Sequence, residues 1–188
     1  GKTEIEPLKE ESARKYIGGI GLGIRLLLDH SKPGVDPFSP ENPIIFATGP
    51  LSGTMAPTAG NSYAVVSKSP ESGGVGEAKA HGSFGAEIKR AGYDAFIFKG
   101  KAEKPVYVWV DDDSVQLMDA KHLLGKSTEE TEDTIKEELG DHYVRVASIG
   151  PAGEKLCKFA CLNSDLYRQA GRGGVGAVIG SKRLKAIV

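Results

Sequence analysis

The segment 173–188, GGVGAVIGSKRLKAIV, lies over the segment 82–97, GSFGAEIKRAGYDAFI. Gly82 matches Gly173, Gly85 matches Gly176, Ala86 matches Ala177, Ile88 matches Ile179 and Ala95 matches Ala186. Each copy reads as a glycine turn, a short helix and a returning strand. Upstream, IIFATGP ends at Gly49-Pro50 and VRVASIGP ends at Gly150-Pro151, and a strand is expected after each. The order of elements is the same both times, so the chain is read as duplicated, with copies at about 40–110 and 141–188. Short strands joined by turns predict mainly antiparallel pairing. The expected fold class is therefore α+β: largely antiparallel sheets built from two structural repeats with short helices, in a single domain over 1–188.

The rest of the chain fits around these copies. SARKYIGGIGLGIRLLLDH reads as a helix with Ser12 as N-cap, interrupted by Gly18, Gly19, Gly21 and Gly23. Those glycines are explained by close packing against a backbone or ligand, or by a helix that begins only after Gly21. PIIFATGP and SYAVVSKSP are strands, as are DAFIFKGK, KPVYVWVDDD and SVQLMDA, with WVDDD (109–113) closing in a hairpin turn of solvated charges. KSTEETEDTIKEELG is a surface helix, with Ser127 or Thr128 as cap and Gly140 as stop. YVRVASIGP and KLCKFACL complete the strands. SGTMAPTAGNS (52–62) is rich in small polar residues and reads as a pocket lining or a loop.

Composition narrows the function. A charged share of 26% and a hydrophobic share of 39% are those of a soluble globular domain. A net charge of −1 argues against a nucleic-acid or anionic-membrane binder. No apolar run suits a bilayer and no secretion signal is visible, so a cytoplasmic chain is expected. Cys157 and Cys161 are too few for a disulfide scaffold, and the four histidines are scattered, so the cysteines read as packing residues on one strand face. No nucleophile–base set stands out, and no catalytic acid or base is assigned.

Gly171-x-Gly173-x-x-Gly176 has the spacing of a dinucleotide-binding turn. That fingerprint needs a strand directly before it and an acidic residue about 20 positions after it. Here NSDLYRQA intervenes, and no Asp or Glu follows Gly176. A Walker-type loop is excluded because no Gly-Lys-Ser/Thr follows at its spacing. Two readings remain. Backbone N–H groups and a helix N-terminus, flanked by Arg168 and Arg172, suit an anion; alternatively, the glycines serve helix–sheet packing and the arginines are solvated. The first copy repeats the layout with Lys79 and His81 ahead of Gly82.

Taken in order, NPIIFATGPLSGTMAPTAG (42–60), SKSP (67–70), FGAEIKRAGYDAFIFKGKAEKPVYV (84–108), ASIGPAGE (147–154), KFA (158–160) and RQAGRGGVGAVIGSKRLKAI (168–187) resemble the N-terminal domain of the tungsten-containing aldehyde:ferredoxin oxidoreductases. The resemblance implies a base of two pseudo-symmetric sheets. On such a base sits a tungsten (or molybdenum) ion held by two pterin dithiolenes, with magnesium bridging the pterin phosphates. It also implies further C-terminal domains in the same polypeptide that bind an iron–sulfur cluster. The activity implied is oxidation of an aldehyde to a carboxylate, with electrons passing to ferredoxin, in a protein that is a possible homo-oligomer. The chain then reads as a fragment, inactive alone.

By position, the first pterin segment of the family falls on Lys79, Ala80, His81, Gly82 and Ser83, and the second on Arg168, Gln169, Ala170, Gly171 and Arg172. The backbone carbonyls of Lys79 and Gln169 stand where magnesium ligands are expected. The chain departs from the family at Lys79, where asparagine is usual, and at Gln169, where a small residue is usual. It departs again at Asn61-Ser62, where an arginine lies between pterin and cluster, and at Ile20, where an arginine is common. These departures leave two alternatives beside the aldehyde oxidoreductase: a related tungsten subunit of an aromatic-acyl-CoA reductase, or a non-enzymatic binding or assembly domain keeping the fold.

Overall fold

The computed structural model describes residues 1–57 and 60–188. Five consecutive buried residues, IIFAT, form β1 (Ile44–Thr48). A strand buried on both faces belongs in the middle of a sheet, and β1 pairs antiparallel with β2 (Ser62–Lys68) on one side and β4 (Ala95–Phe98) on the other. An edge strand, β3 (Val75–His81), pairs antiparallel with β2. The first sheet therefore runs β3-β2-β1-β4.

The second sheet contains β5 (Val106–Asp111), β6 (Ser114–Asp119), β7 (Ala147–Ser148), β8 (Leu162–Ser164), β9 (Arg168–Ala170) and β10 (Leu184–Ile187). Its order is β6-β5-β10-β7-β8-β9. Within it, β9-β8-β7-β10 repeats the order of the first sheet, and every one of those neighbours is antiparallel. The connecting helices also correspond: α3 (Phe84–Arg90) precedes β4, and α6 (Val175–Ser181) precedes β10. One strand departs from the expected ranges. β5 lies within 40–110, yet it pairs with β10 of the second sheet, and in parallel. Its amides select that edge: Val106 donates to the Arg183 carbonyl and Val110 to the Val188 carbonyl.

One core joins the two sheets. Ile44, Phe46, Tyr63 and Val65 of the first meet Ala147, Ile149, Leu162 and Ala170 of the second, with Phe84 and Ile88 of α3 and Val175, Val178 and Ile179 of α6. Phe46 is fully buried and its ring lies 5.8–6.4 Å from those of Tyr63, Phe84 and Phe98. Each such aromatic pair adds about 0.5–1.5 kcal/mol beyond area burial. The other face of the first sheet is covered by α2 (Gly19–His30), which sets Leu27 against Ile45, Ala47, Ala64 and Val66. A second cluster holds Tyr107, Val146 and Ala186 against Ile135 of α4 (Thr128–Leu139).

The N-terminal helix differs from expectation. Ser12 lies inside α1 (Glu10–Tyr16), whose cap position is Lys9. The chain breaks at Ile17-Gly18 because α2 must pass close to the end of β1. A Cβ on Gly18 would lie 2.7 Å from the Gly49 Cα and the Thr48 carbonyl. Gly18 and Gly21 thus serve close backbone packing, Gly23 leaves room for the Val66 side chain, and Gly19 takes a positive φ of 54°. α4 follows its sequence signals: Ser127 and Glu130 form a capping box, and Gly140 closes the helix in the left-handed region. The Ser127 amide and hydroxyl hold the Glu130 carboxyl below its usual range.

KLCKFACL is not a strand. After the short α5 (Pro151–Glu154), residues 155–161 turn, and only Leu162–Ser164 pairs. Cys157 and Cys161 therefore do not share a strand face; both are half-buried and free. YVRVASIGP yields only the two residues of β7. In 52–55 the chain turns, Met55 is fully exposed, and the Ser52 hydroxyl donates to the Ser62 carbonyl. Thr58 and Ala59 of the stretch 52–62 lie outside the described residues.

Lys182 is buried, with its ammonium donating to the Gly100 carbonyl. Burial pushes it down to about 8, with Glu41 opposing and Lys99 adding to the fall. The unfolded chain, near 10.5, then binds more protons than the native state between those values. Stability is therefore expected to rise with pH from about 8 to 10.5. Denaturant midpoints against pH should show this rise in the native sequence and a flatter profile in Lys182→Met.

Candidate functional site

The sites expected from the sequence collect where the two sheets meet. β3 and β9 are the edge strands of their sheets and lie against each other. Along β3, Gly76, Ala78 and Ala80 are buried, while Lys79 and His81 are exposed on the opposite face. This alternation is what a half-buried strand requires. Ser62 stands opposite His81, and Ala64 opposite Lys79, so Ser62, Lys79 and His81 share one face, with Asn61 exposed just before Ser62. On β9, Arg168 and Gln169 are exposed and Ala170 is fully buried. Gly171 and Arg172 continue as exposed residues. Ile20, on α2, packs half-buried against the Ala64 and Val66 face of the first sheet.

The two segments approach each other reciprocally. A Cβ on Gly82 would lie 2.9 Å from the Arg168 side chain. One on Gly173 would lie 2.8 Å from the Gly76 Cα and 3.2 Å from the Glu77 amide nitrogen. Gly82 and Gly173 are as far apart in sequence as Glu77 and Arg168, so the contact is made twice, once by each unit. Beside it lies a concavity of about 410 Å³, lined in part by Ser69, Gly76, Phe159, Gly171, Arg172 and Gly173. A second cleft, of about 290 Å³, lies around Trp109, Tyr143 and Arg145 and includes none of the expected site residues.

At the N-terminus of each short helix the protein itself takes one backbone amide. At α3, the Phe84 amide donates to Asp165 Oδ2 at 3.1 Å. At α6, the Gly176 amide donates to the Ala160 carbonyl at 2.9 Å. Those two amides are therefore not available to an anion. What remains for an anion is the cationic set Lys79, Arg168 and Arg172 and the exposed backbone around Gly171. Among the described residues, no three His, Cys, Asp or Glu side chains converge as a metal-ligand set.

Several residues that organise this face escaped the sequence reading. Tyr63 donates to Ser164 Oγ at 2.9 Å, joining the two sheets within the core. Burial pushes the Tyr63 phenol well above its ordinary value; the Ser164 hydrogen bond lowers it and the Asp165 charge raises it. It is a permanent donor, not a base. Asn163 donates to the Leu166 carbonyl, and the buried Glu132 accepts from the Leu166 amide. The signal available was the polar run Asn163-Ser164-Asp165 closing a strand whose three residues are all buried.

Comparison with known proteins gives one consistent picture. The family described as aldehyde ferredoxin oxidoreductase, N-terminal domain, matches residues 1–188. The tungsten-containing aldehyde ferredoxin oxidoreductase of Pyrococcus furiosus is 55% identical over 187 residues, which is 100% of this chain and 31% of that protein. The aliphatic sulfonate oxidoreductase WOR-like subunit of the same organism is 37% identical over 98% of this chain and 31% of its own length. Among solved structures, the active site complex BamBC of benzoyl coenzyme A reductase with 1,5 dienoyl-CoA superposes with a TM-score of 0.96 at 41% identity. It covers 100% of this chain and 28% of that one. The chain thus spans about a third of the length of these relatives. No helix among the described residues is long and apolar enough to cross a membrane.

Proposed function

The chain belongs to the aldehyde ferredoxin oxidoreductase N-terminal domain family, and from that premise we propose that it is the base on which a tungsten bis-pterin cofactor rests in a larger oxidoreductase. The observation that carries this reading is the junction of β3 and β9. It sets Lys79–Ser83 beside Arg168–Arg172, one segment from each of two units of equal strand order. Two like segments suit a cofactor made of two like pterins, and the equal order suits an origin by duplication.

The residues present fit such a group. A Cβ on Gly171 would meet nothing within 4 Å, so the backbone there is open to close approach. Arg168 and Arg172 are exposed beside it and can form charge-assisted hydrogen bonds to phosphate oxygens. Lys79 adds a third cation in the other segment. The backbone carbonyls of Lys79 and Gln169 are the groups of this chain that would hold a magnesium ion beside the cofactor. When bound, the cofactor would supply the redox chemistry that oxidises an aldehyde to a carboxylate, and the remaining polypeptide would hold the iron–sulfur cluster through which electrons leave for ferredoxin. This domain's part is orientation and charge neutralisation.

A second reading, the tungsten subunit of an aromatic-acyl-CoA reductase, is favoured by the benzoyl coenzyme A reductase superposition. Activity of the full-length protein on a panel of aldehydes and aromatic acyl-CoA thioesters separates the two.

The test is anaerobic expression of the full-length protein with tungstate, followed by assay of metal and pterin. Stoichiometric tungsten and pterin are expected; a well-folded protein without tungsten, molybdenum or pterin overturns the reading. Arg168→Ala and Arg172→Ala each remove a charged hydrogen bond of about 1.5–3 kcal/mol. Each is expected to weaken pterin retention roughly ten- to hundredfold with folding intact. Retention at the native level in both would remove the arginines from the site.

A further inference from the structure

The loop between β8 and β9 is strained and held from every side. Asp165 and Leu166 both lie in the left-handed region, with φ of 47° and 62°. A leucine pays for that conformation, and such strain persists only where its surroundings over-determine it. Here both backbone groups of Leu166 are clamped: its carbonyl accepts from Asn163 Nδ2 at 2.7 Å, and its amide donates to Glu132 Oε2 at 3.3 Å. Glu132 is buried and is itself fixed by Lys136 at 2.6 Å. The result is one orientation of the Asp165 side chain. Its Oδ2 accepts from the Phe84 amide and fills the space a Cβ on Gly82 would enter; its Oδ1 faces Arg145 Nε at 3.9 Å.

We propose that Asp165 is a positioning residue that ties the His81-Gly82-Ser83 turn of the first unit to β9 of the second, so that the two cofactor-facing segments keep one spacing. The proposal rests on the cofactor reading above. Its chemistry is direct. β3 and β9 have no ladder between them, so their spacing depends on what crosses the gap. Asp165 begins three residues before Arg168 and ends on the residue after Ser83. A cofactor gripped by both segments feels any slack at that joint, whereas the sheets, joined through the core, do not.

The experiment uses the full-length protein expressed anaerobically with tungstate, as native sequence, Asp165→Asn, Asp165→Ala and Gly82→Ala. Pterin and tungsten are assayed after gel filtration, and hydrogen exchange is followed at the Phe84 amide. Asparagine still offers an oxygen to the Phe84 amide, so Asp165→Asn is expected to retain pterin within about threefold of native. Asp165→Ala is expected to lose tenfold or more at a temperature where its circular dichroism matches the native protein, with faster Phe84 exchange. Gly82→Ala drives a methyl into the Asp165 carboxylate and the Arg168 side chain at a φ of 105° and should lose pterin likewise with residue 165 unsubstituted, while Phe84 exchange in Asp165→Asn reads the tie where Asp165→Ala fails to fold. Native retention in Asp165→Ala or in Gly82→Ala overturns the proposal, as does an Asp165→Asn protein that loses as much as Asp165→Ala. A native protein without pterin overturns the cofactor reading instead, while Phe84 exchange in Asp165→Asn against Asp165→Ala still decides the tie between the units.

Discussion

Lys185→Ala is expected to destabilise the domain by roughly 3–5 kcal/mol, the range for breaking a buried ion pair from one side. Lys185 lies on β10 with its side chain 1% exposed. Its ammonium donates to Glu154 at 2.6 Å and to the Lys126 carbonyl at 3.0 Å. Glu154 also accepts from the Gly125 amide at 3.0 Å. The pair therefore staples the strand β10 to the segment before α4 and to α5. Alanine leaves the Glu154 carboxylate with one neutral donor and the Lys126 carbonyl with none from this side chain. Lys185→Met fills the volume but not the charge, so it should lose nearly as much. The double substitution Lys185→Met with Glu154→Gln removes both charges and should recover most of the loss, since an uncompensated charge is the main cost. Chemical denaturation of the native protein, Lys185→Met, Glu154→Gln and the double variant closes the cycle, with Lys185→Ala measured beside it. A single-variant loss below about 1 kcal/mol would mean that water reaches Glu154 and the pair behaves as an exposed one.

The same comparison of charge and packing explains which parts of this chain could be read from its sequence. The repeat was legible because its signals are local: a glycine turn, a seven-residue helix and a short apolar strand, twice in one order. α4 was legible for the same reason, with its cap and its stop written in adjacent residues. β3 was not. VGEAKAH buries only Gly76, Ala78 and Ala80, so its strand character comes from pairing with β2 and not from propensity. β9 has three residues and only one buried. KLCKFACL misled in the opposite direction, because its apolar residues line a turn whose carbonyls, at Lys158, Ala160 and Cys161, face the glycines of α6.

The site shows the same division. The residues of the two segments could be named in sequence because they flank glycine turns and match a family pattern. What joins them could not. Asp165 looks like a solvated turn residue until Phe84 is seen to donate to it across the fold. Nor could the sequence show that Asp165 and Ala160 each take one amide at the start of a short helix. For α3 the missing partner lies in the other unit, and for α6 it lies in the turn before the helix within the same unit.

The glycines of Gly171-x-Gly173-x-x-Gly176 should respond to alanine in three different ways, the last with the largest loss. In a dinucleotide turn all three would serve the ligand or its turn. Here Gly176 lies in α6, and a Cβ on it would overlap the Cys161 carbonyl oxygen and come within 2.8 Å of the Ala160 carbonyl oxygen. That obstacle is backbone, anchored by the Gly176 amide to Ala160 hydrogen bond, and has no rotamer to yield. Alanine gains about 1 kcal/mol of helix propensity, but overpacking of about 1–3 kcal/mol or more opposes it. Because the clash is with backbone, Gly176→Ala is expected at or beyond the upper end, with α6 forced off the 155–161 turn. Gly173→Ala should cost less, about 1–3 kcal/mol, because φ of 66° strains any side chain and the Gly76 Cα stands 2.8 Å away. Gly171→Ala meets open space and should stay within about 0.5 kcal/mol of native. Thermal and urea unfolding of the three variants give the ranking directly. Retention of pterin by the full-length protein then separates the roles: Gly171→Ala should fold as the native protein does and still lose cofactor, because its methyl meets no described residue of this domain and stands where the ligand would approach. If Gly171→Ala kept native stability and native retention together, the close approach at that backbone would be refuted. If Gly176→Ala proved neutral, α6 would not be seated on the 155–161 turn as described.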